Sequence, residues 1–486
     1  MSQQNRKIAK NAVWNTIKTV SGIAFPLITF PYISRVLGVD VIGEYNFSMS
    51  IISYFILIAG LGISTYGIRE GTTFREDKGR VQSFASELFT INMVSTVLAY
   101  LLLIITVLIV PKINSYSVII YILSAEIFAT TIGCAWICNI YEDFASLTVR
   151  TVLFQFISLV LMFIFVKSPE DLNKYVAIMS FSNFGSNAVN YFYIRKKYCK
   201  FRIVSGFDWK KHIRPILVIF STNVAVTIYV YSDSTMLGFL MTDYDVGLYT
   251  TSVKIYVIIK NVLSALLLVL IPKFSVLFSK TDKEEISELF SKVFNTLTLL
   301  MLPVITGLFM ISDDVIYLVS GEDFLGATTS LRLLSIAMFF ALFAFLYVQC
   351  VLIPVKKEKV VLKATIISAV TNVLLNFIFI PLIGINGAAI TTIISELITF
   401  ALSCKEGVKH VRIKGVVREL LTIIAGCVLI VAVCLLSRRL NIFWMRLAVS
   451  VAGSIIAYFG FLLVVRNRTV RNIWGLLVPH LRKKES

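Results

Sequence analysis

Residues 364–395 read ATIISAVTNVLLNFIFIPLIGINGAAITTIIS, which is 32 residues without a charged side chain. A helix rises about 1.5 Å per residue, so about 20 apolar residues cross a hydrocarbon core of about 30 Å. The turn-forming segment at residues 381–387 lies inside this stretch and predicts a hairpin of two membrane-spanning helices. The stretch therefore indicates an all-α, polytopic membrane protein.

The rest of the chain repeats this pattern. Of 486 residues, 57% are hydrophobic and 15% are charged, whereas soluble domains carry about 25% charged residues. Uncharged runs of 24 residues after Glu87 and 23 residues after Arg332 are each long enough to cross a bilayer. The period-two alternation of membrane β-barrels does not occur in the sequence. We predict about fourteen transmembrane helices, at residues 11–36, 40–66, 83–110, 117–139, 148–167, 174–194, 215–241, 246–272, 289–311, 327–353, 361–381, 385–404, 419–437 and 447–465.

The positions of Lys and Arg predict the topology. With the N-terminus in the cytoplasm, the predicted cytoplasmic segments hold 35 of the 46 Lys and Arg residues, and the opposite loops hold 7. The positive-inside rule predicts such a bias, so both termini are expected to be cytoplasmic. Arg438, Arg439 and Arg446 are exceptions in a predicted outer loop. Either the last two helices are misplaced or this loop has a role of its own.

The net charge of +18 mostly follows from this topology. The basic segment at residues 195–202 could contact nucleic acid, but it directly adjoins a predicted span. A position near anionic lipid accounts for it better, and we expect no nucleic-acid partner.

Two segments of the chain resemble each other. At an offset of 204 residues, Gly43, Tyr45 and Ser48 align with Gly247, Tyr249 and Ser252. The repeat predicts two six-helix bundles in the same orientation, at residues 1–200 and 201–410. Residues 411–486 would add two helices and a basic cytoplasmic tail. Parallel repeats that face each other across a central cavity are a transporter architecture.

The sequence contains few signs of catalysis. It has no phosphate-binding P-loop and no HExxH motif, and its three histidines lie in predicted cytoplasmic segments. The seven cysteines show no disulfide framework or metal-binding spacing. The longest predicted outer loop, at about residues 312–326, is short for a membrane glycosyltransferase, polymerase or ligase. We expect neither an enzyme nor a bound cofactor or metal.

Three lysines lie inside predicted spans. A charge near a helix centre costs about 2.5–3.5 kcal/mol on insertion scales, so it needs a partner or a water-filled cavity. Lys18 either lines a polar stripe of the first span or extends to the cytoplasmic interface. Lys260 lies near the middle of the eighth span, where it lines a cavity or forms an interhelical ion pair. Lys254 lies on another face of the same span.

Three acids also lie inside predicted spans: Glu126, Asp233 and Glu396. Each either forms a static ion pair or titrates and couples transport to an ion. Together with the lysines they predict a mixed-charge, wet cavity. Such a cavity suits an anionic pyrophosphate headgroup, because lysines offset the cost of removing it from water. A cavity for cationic drugs would have acids and aromatic residues without these lysines.

Several short motifs carry a family resemblance: YSDSTMLGFL at 231–240, DVGLY at 245–249, RVLG at 35–38, GEY at 43–45, GEDF at 321–324 and GINGAA at 384–389. In this order and spacing they resemble polysaccharide-unit flippases of the Wzx type. That family belongs to the multidrug/oligosaccharidyl-lipid/polysaccharide exporter superfamily, whose relatives contain similar helix numbers. The resemblance covers essentially the whole chain.

The resemblance implies that the chain moves an undecaprenyl-pyrophosphate-linked oligosaccharide from the inner to the outer leaflet of the plasma (inner) membrane. The product would serve O-antigen, capsule or a related polymer, with a polysaccharide polymerase and a chain-length regulator as partners. The lipid-linked oligosaccharide would be moved by alternating access driven by an ion gradient. The family's cationic cavity residues map to Lys18, Lys254 and Lys260, with Arg35 as a cation at a gate. A multidrug/cation antiporter, a peptidoglycan-precursor flippase and a membrane-embedded glycan polymerase or ligase are the alternatives.

Overall fold

The computed structural model describes residues 3–268, 270–280, 283–413 and 416–471. Of the residues in these ranges, 88% are helical and none lies in a strand. The all-α fold class predicted from the uncharged runs is therefore confirmed.

The chain divides into two compact units, Met1–Gly247 and Leu248–Ser486. The helices of the first unit are α1 (Gln3–Leu37), α2 (Val39–Gly60), α3 (Ile63–Gly71), α4 (Lys78–Ile109), α5 (Pro111–Asn114), α6 (Ser117–Leu123), α7 (Ala125–Gly133), α8 (Ala135–Ile140), α9 (Phe144–Phe165), α10 (Leu172–Lys197) and α11 (Trp209–Leu240). Helix α12 (Asp243–Leu268) begins in the first unit and continues into the second.

The helices of the second unit after α12 are α13 (Ile271–Lys280), α14 (Lys283–Met310), α15 (Ser312–Ser320), α16 (Thr328–Tyr347), α17 (Glu358–Ile383), α18 (Ile385–Gly407), α19 (Val416–Ser437), α20 (Phe443–Ala448) and α21 (Ser454–Val464). Short 3-10 turns occur at Thr72–Phe74, Pro169–Asp171 and Glu322–Ala327, and π-helical turns at Val348–Leu352 and Val449–Gly453.

Within the described ranges, twelve helical segments are long and apolar enough to cross a membrane, so this is a multi-pass membrane protein. The two other predicted spans, at residues 174–194 and 246–272, coincide with α10 and α12. Each of these helices has 26 residues, but α10 carries several Ser and Asn side chains and α12 carries acids and lysines. Their polar side chains lower their hydropathy, and a total of about fourteen spans stays a prediction.

The predicted hairpin at residues 364–395 is confirmed. Helix α17 runs through Pro381 to Ile383, and α18 begins at Ile385. Gly384 between them has a positive φ of 58°, a backbone conformation that side chains with a Cβ rarely adopt. Asn376 donates to Asn372 over 3.2 Å, and Asn372 donates to Thr391 over 3.5 Å, which joins the two helices through buried amides.

Several spans predicted as single helices are interrupted. The span at 40–66 breaks between α2 and α3, where Leu61 and Gly62 have positive φ values of 46° and 82°. The span at 117–139 breaks at Ser124 and again at Cys134, whose φ is 42°. The span at 447–465 contains a π-helical turn. Apolar composition predicts where a chain crosses a bilayer, but it does not predict these local breaks.

The repeat seen in the sequence corresponds to a reciprocal contact within the first unit. A Cβ added to Gly43 on α2 would overlap the backbone carbonyl of Asp243, and a Cβ added to Gly247 would overlap the backbone carbonyl of Val39. At the offset of 204 residues, Val39 corresponds to Asp243 and Gly43 corresponds to Gly247. Each of the two contacts is therefore the repeat equivalent of the other. The repeated glycines therefore allow α2 and the start of α12 to cross with their backbones in contact.

Two of the three arginines that contradict the positive-inside rule lie beside acidic residues of the second unit. Arg446 donates through both Nε and a terminal nitrogen to the carboxylate of Asp314, with Nε 3.2 Å from Oδ2. Arg438 donates to the carbonyl of Met310 over 3.1 Å and lies 3.8 Å from Asp313. Two of the three exceptional cations thus have structural partners, which explains their presence in this loop.

The pair of Arg446 and Asp314 yields a stability prediction. Replacing Arg446 with alanine leaves the buried Asp314 carboxylate without its bidentate partner, and we expect a loss on the order of 3 kcal/mol in the free energy of unfolding. Arg439→Ala is the matched control, because Arg439 is exposed in the same loop. Thermal unfolding in detergent measures both variants; equal midpoints for Arg446→Ala and the wild type would contradict the prediction.

Candidate functional site

Lys260 and Glu396 meet between α12 and α18 in the second unit. The Lys260 Nζ lies 3.9 Å from Glu396 Oε1 and 4.8 Å from the ring centre of Tyr256. The Tyr256 hydroxyl donates to the same Glu396 oxygen over 3.2 Å. Glu396 and Tyr256 are buried, whereas the Lys260 side chain is 29% exposed. The interhelical ion pair that was one interpretation of Lys260 is present, and the predicted role of Lys260 at a cavity stays a prediction.

This arrangement leaves the Lys260 ammonium able to bind a further group. A separation of 3.9 Å satisfies an ion pair but is too long for a hydrogen bond. No hydrogen bond joins this ammonium to the part of the chain that the structure describes, although a lysine ammonium has three donors. The Glu396 carboxylate thus offsets the buried charge, and the ammonium donors stay available to an anion such as a phosphate oxygen.

The other predicted cations lie elsewhere. Lys254 is half-buried on α12, six residues before Lys260, so at about 100° per residue it projects from another face of the helix. Lys18 and Arg35 are both exposed on α1, in the first unit. Arg35 lies in the last turn of α1. Their predicted roles at a cavity and a gate stay predictions.

The other predicted acids, Glu126 and Asp233, are buried in the first unit. Glu126 on α7 accepts a hydrogen bond from the Asn183 side chain of α10 over 3.3 Å. Asp233 is buried seven residues before the C-terminal end of α11. A hydrogen-bonded carboxyl can exist in either protonation state inside a membrane protein. Their role in ion coupling stays a prediction.

A polar network that the sequence did not predict lies beside α10. Arg150, predicted to be among the cytoplasmic cations, is buried in α9. It donates to Asn190 over 2.7 Å and lies over the Tyr193 ring at 4.2 Å. Asp143, at the N-terminus of α9, accepts hydrogen bonds from Tyr193, Tyr198 and Lys197. The signal was present in the sequence: Asn183, Asn187 and Asn190 lie at helical spacing on one face of α10.

Hydrogen bonding changes the acidity of Asp143. Burial alone would raise the pKa of Asp143, but donation from Tyr193, Tyr198 and Lys197, at 2.6–3.0 Å, outweighs it and holds the pKa well below its usual range. A carboxylate whose pKa is lower in the folded state than in the unfolded chain stabilises the fold. This stabilisation is fully present at pH values above the pKa of the unfolded chain, about 3.9 for Asp. That contribution is lost as the pH falls through the folded-state pKa.

We expect Asp143→Asn to lose about 1.5–3 kcal/mol of stability at pH 7, the usual value of hydrogen bonds to a charged group. We also expect the wild type to lose stability below about pH 4, and the variant to lose less. Glu76→Gln is the control, since the Glu76 side chain is 93% exposed. Denaturation midpoints between pH 3 and pH 7 test this; parallel curves for Asp143→Asn and the wild type would contradict it.

An apolar groove of about 400 Å³ lies in the first unit, apart from the predicted site residues. It is lined by side chains of α2, α4 and α11 and the segment before α11, among them Ile58, Val94, Leu98, Phe207 and Trp209. None of the seven predicted site residues lines it. Among the described residues, no group of three or more His, Cys, Asp or Glu side chains is arranged to hold a metal ion.

Sequence comparisons identify several similar proteins. The family described as "Polysaccharide biosynthesis protein" matches residues 8–278. An O-antigen transporter of Shigella dysenteriae is 22% identical over 390 residues, which cover 77% of this chain and 93% of that protein. An O-antigen transporter of Escherichia coli (strain K12) is 25% identical over 189 residues, 39% of this chain and 45% of that protein.

A low-salt glycan biosynthesis flippase, Agl15, of Haloferax volcanii is 27% identical over 174 residues, 36% of this chain and 37% of that protein. The matched regions therefore span less than half of the Escherichia coli and Haloferax proteins and nearly all of the Shigella protein.

Two solved structures share the fold. The lipid II flippase MurJ, in an inward closed conformation, superposes with a TM-score of 0.74 at 14% identity, over 97% of this chain and 99% of that one. An inward-facing multidrug resistance MATE family transporter of the MOP superfamily has a TM-score of 0.61 at 16% identity, over 80% of this chain and 93% of that one. At these identities the likeness establishes the fold and no more.

Proposed function

This chain belongs to the polysaccharide biosynthesis protein family, and on that premise we propose that it is a flippase for a lipid-linked oligosaccharide. Its substrate would be an undecaprenyl-pyrophosphate-linked repeat unit, moved from the cytoplasmic to the outer leaflet of the plasma (inner) membrane. The flipped unit would be used to build O-antigen, capsule or a related surface polymer. Relatives named as O-antigen transporters and as a glycan biosynthesis flippase support this assignment.

The proposal rests mainly on the position and the contacts of the Lys260 ammonium group. Its ammonium lies on α12, within a predicted span, is partly exposed, and has a nearby carboxylate at ion-pair distance without a hydrogen bond. A pyrophosphate that leaves water needs cations and donors to replace its hydration. Lys260 meets this need, and Lys254, Lys18 and Arg35 are the further cations that would meet the headgroup and sugar acids along its route.

The mechanism we propose is alternating access, with both chain termini in the cytoplasm. Glu126, Asp233 and Glu396 are the candidates for coupling to an ion gradient, since each is buried and within a predicted span. A polysaccharide polymerase and a chain-length regulator would act on the product after it reaches the outer leaflet. The chain itself would break and form no covalent bond, so it would not be an enzyme.

A peptidoglycan-precursor flippase and a multidrug/cation antiporter are the alternatives within the same fold. The first would recognise a pyrophosphate headgroup through the same lysines, so the site chemistry does not separate it from the proposed function. The second would require a cavity for a cation, and the donors of Lys260 do not suit one. Relatives named for O-antigen and glycan favour the oligosaccharide.

Deletion of the gene in its host tests the proposal. We expect lipid-linked repeat units to accumulate on the cytoplasmic leaflet and surface polymer to disappear, both reversed by a plasmid copy. Viability without the plasmid would separate this function from an essential peptidoglycan precursor flippase. Normal surface polymer after deletion would overturn the proposal. Loss of polymer without accumulated, complete repeat units would instead indicate a glycan-assembling enzyme.

A further inference from the structure

His212 lies in a segment predicted to be cytoplasmic, but its side chain is buried, with 4% exposed. It belongs to the first turn of α11 and is packed within the first unit. Its Nδ1 lies 3.0 Å from the Tyr66 hydroxyl of α3, and its Nε2 lies 2.8 Å from Glu87 Oε2 of α4. One imidazole therefore joins three helices through both of its nitrogens.

The rest of the surroundings are aromatic. The rings of Tyr66, Phe84 and Phe207 lie with their centres 5.7–6.3 Å from that of the imidazole. Low polarity strengthens the interaction between the imidazole and the carboxylate. The Glu87 side chain is 25% exposed, so a path from water to the imidazole passes through this carboxylate.

Other titratable groups are farther from the imidazole or face solvent. On α3, Arg69 lies over the Tyr66 ring at 5.8 Å and is paired with Glu70. On α11 itself, Lys210, Lys211 and Arg214 are exposed. The same apolar cluster also contains three thiols from the elements packed against it: Cys134, Cys138 and Cys199. Glu87 is thus the acid in direct contact with His212.

His212, Glu87 and Tyr66 can bind an additional proton while both hydrogen bonds of the imidazole are kept. In the neutral imidazole, Nε2–H donates to Glu87 while Nδ1 accepts from the Tyr66 hydroxyl. When a proton binds Nδ1, the new N–H donates to the Tyr66 oxygen, and the hydroxyl turns from donor to acceptor. The imidazole and carboxylate then form an ion pair, and their combined charge changes from −1 to 0.

We propose that His212, Glu87 and Tyr66 form a proton-binding site whose occupancy controls the attachment of α11 to α3 and α4. The protonated site holds α11 by an ion pair, which is stronger than a hydrogen bond from a neutral imidazole. Movement of α11 away from α3 and α4 then requires release of the proton. Histidine is the side chain that ordinarily changes its charge between pH 5 and 8. That this proton drives transport rests on the proposed function.

NMR of protein labelled with ¹³C-histidine tests proton binding without any transport. The chain has three histidines, and His212→Gln assigns the signal of His212. We expect this signal to change with pH in the wild type and to respond differently in Glu87→Gln, because the carboxylate is in direct contact with the imidazole. Glu406→Gln is the matched control, since Glu406 lies 3.9 Å from His410. A His212 signal that is constant from pH 5 to 9, or unaffected by Glu87→Gln, would overturn the proposal.

Amide hydrogen exchange tests the attachment of α11. After correction for the intrinsic rate, we expect the first half of α11 to exchange about tenfold more slowly at pH 5.5 than at pH 8.5, which corresponds to about 1.4 kcal/mol. His212→Gln keeps a hydrogen-bonding side chain but cannot titrate, so this difference should vanish. Equal pH dependence in His212→Gln and the wild type would refute control of α11 by the site.

Transport provides the third measurement, in proteoliposomes that contain the host's undecaprenyl-pyrophosphate-linked oligosaccharide. We expect an imposed pH gradient to raise the translocation rate of the wild type and of His410→Gln, and the ratio of rates with and without the gradient to approach one in His212→Gln. A full gradient effect in His212→Gln would refute coupling. No translocation by the wild type would refute the proposed function, while the NMR titration would still decide whether the proton site exists.

Discussion

Replacing Gly247 or Gly43 with alanine is expected to destabilise the protein by about 3 kcal/mol each and to abolish surface-polymer export. A single added methyl group at either position would overlap a backbone carbonyl, of Val39 or of Asp243. Side chains can change rotamer, but a backbone carbonyl moves only with its helix. The crossing of α2 with the start of α12 would therefore have to open.

The surroundings of the crossing leave little room for such a shift. The Tyr116 hydroxyl lies 2.8 Å from both carboxylate oxygens of Asp243. Phe47 packs against Tyr116 at 5.1 Å and against Phe239 at 5.4 Å. Moving α12 to accommodate a methyl group would break the hydrogen bond between Tyr116 and Asp243, and moving α2 instead would disturb the packing of Phe47. The cost therefore includes neighbouring interactions in addition to the direct overlap.

A double-mutant cycle sharpens this prediction. Because the two glycines belong to one crossing, the first alanine opens it and the second should cost less, with a coupling energy of about 0.5–3 kcal/mol. Gly307→Ala is the control, since an added Cβ there meets no atom within 4 Å. Thermal unfolding and polymer export measure all four variants. Additive costs, or a Gly247→Ala variant as stable as Gly307→Ala, would contradict the reciprocal contact.

Removal of Lys260 is the second substitution with a large expected effect. We expect Lys260→Ala to reduce polymer export about 10- to 100-fold, which is the loss of one charge-assisted hydrogen bond to the headgroup, about 1.5–3 kcal/mol. The same change also leaves the buried Glu396 without its cation. A fall in export alone would therefore not distinguish binding of the substrate from support of the fold.

The double variant Lys260→Met/Glu396→Gln separates these two roles. It removes both charges together, and Tyr256 can still donate to the amide oxygen at position 396, so the protein should insert and unfold like the wild type. We expect export to stay low, because the substrate has lost its cation. Recovery of export in the double variant would mean that Lys260 serves only to neutralise Glu396. The matched control is Lys292→Met/Glu288→Gln, which removes an exposed ion pair of α14.

The sequence predicted the parts of the fold that depend on hydrophobicity. The hairpin at residues 364–395 follows from its missing charges and its turn residues, and the structure contains it. The break at Leu61 and Gly62 was not predicted, because a positive φ in an apolar run depends on packing against distant helices. The repeat was visible in the sequence as three matched residues. The backbone contact that requires glycine at positions 43 and 247 could not be predicted from the sequence.

The same division applies to the candidate site. Lys260 and Glu396 could be predicted as candidates because they are charged residues inside predicted spans, where a charge costs free energy on insertion. Their pairing joins residues 136 positions apart, and helical periodicity does not determine which helices are neighbours. Arg150 and His212 were missed for another reason: they lie near helix ends, where sequence patterns place a residue in the cytoplasm although the fold buries it.

Reconstitution measures whether this chain moves a lipid-linked oligosaccharide between leaflets, as we propose. Purified protein is placed in vesicles with the host's undecaprenyl-pyrophosphate-linked repeat unit, and a membrane-impermeant lectin measures the fraction in the outer leaflet over time. We expect that fraction to change with time in vesicles containing the wild type and to stay nearly constant in protein-free vesicles and with Lys260→Ala. Equal rates with and without the protein would contradict the proposed flippase function.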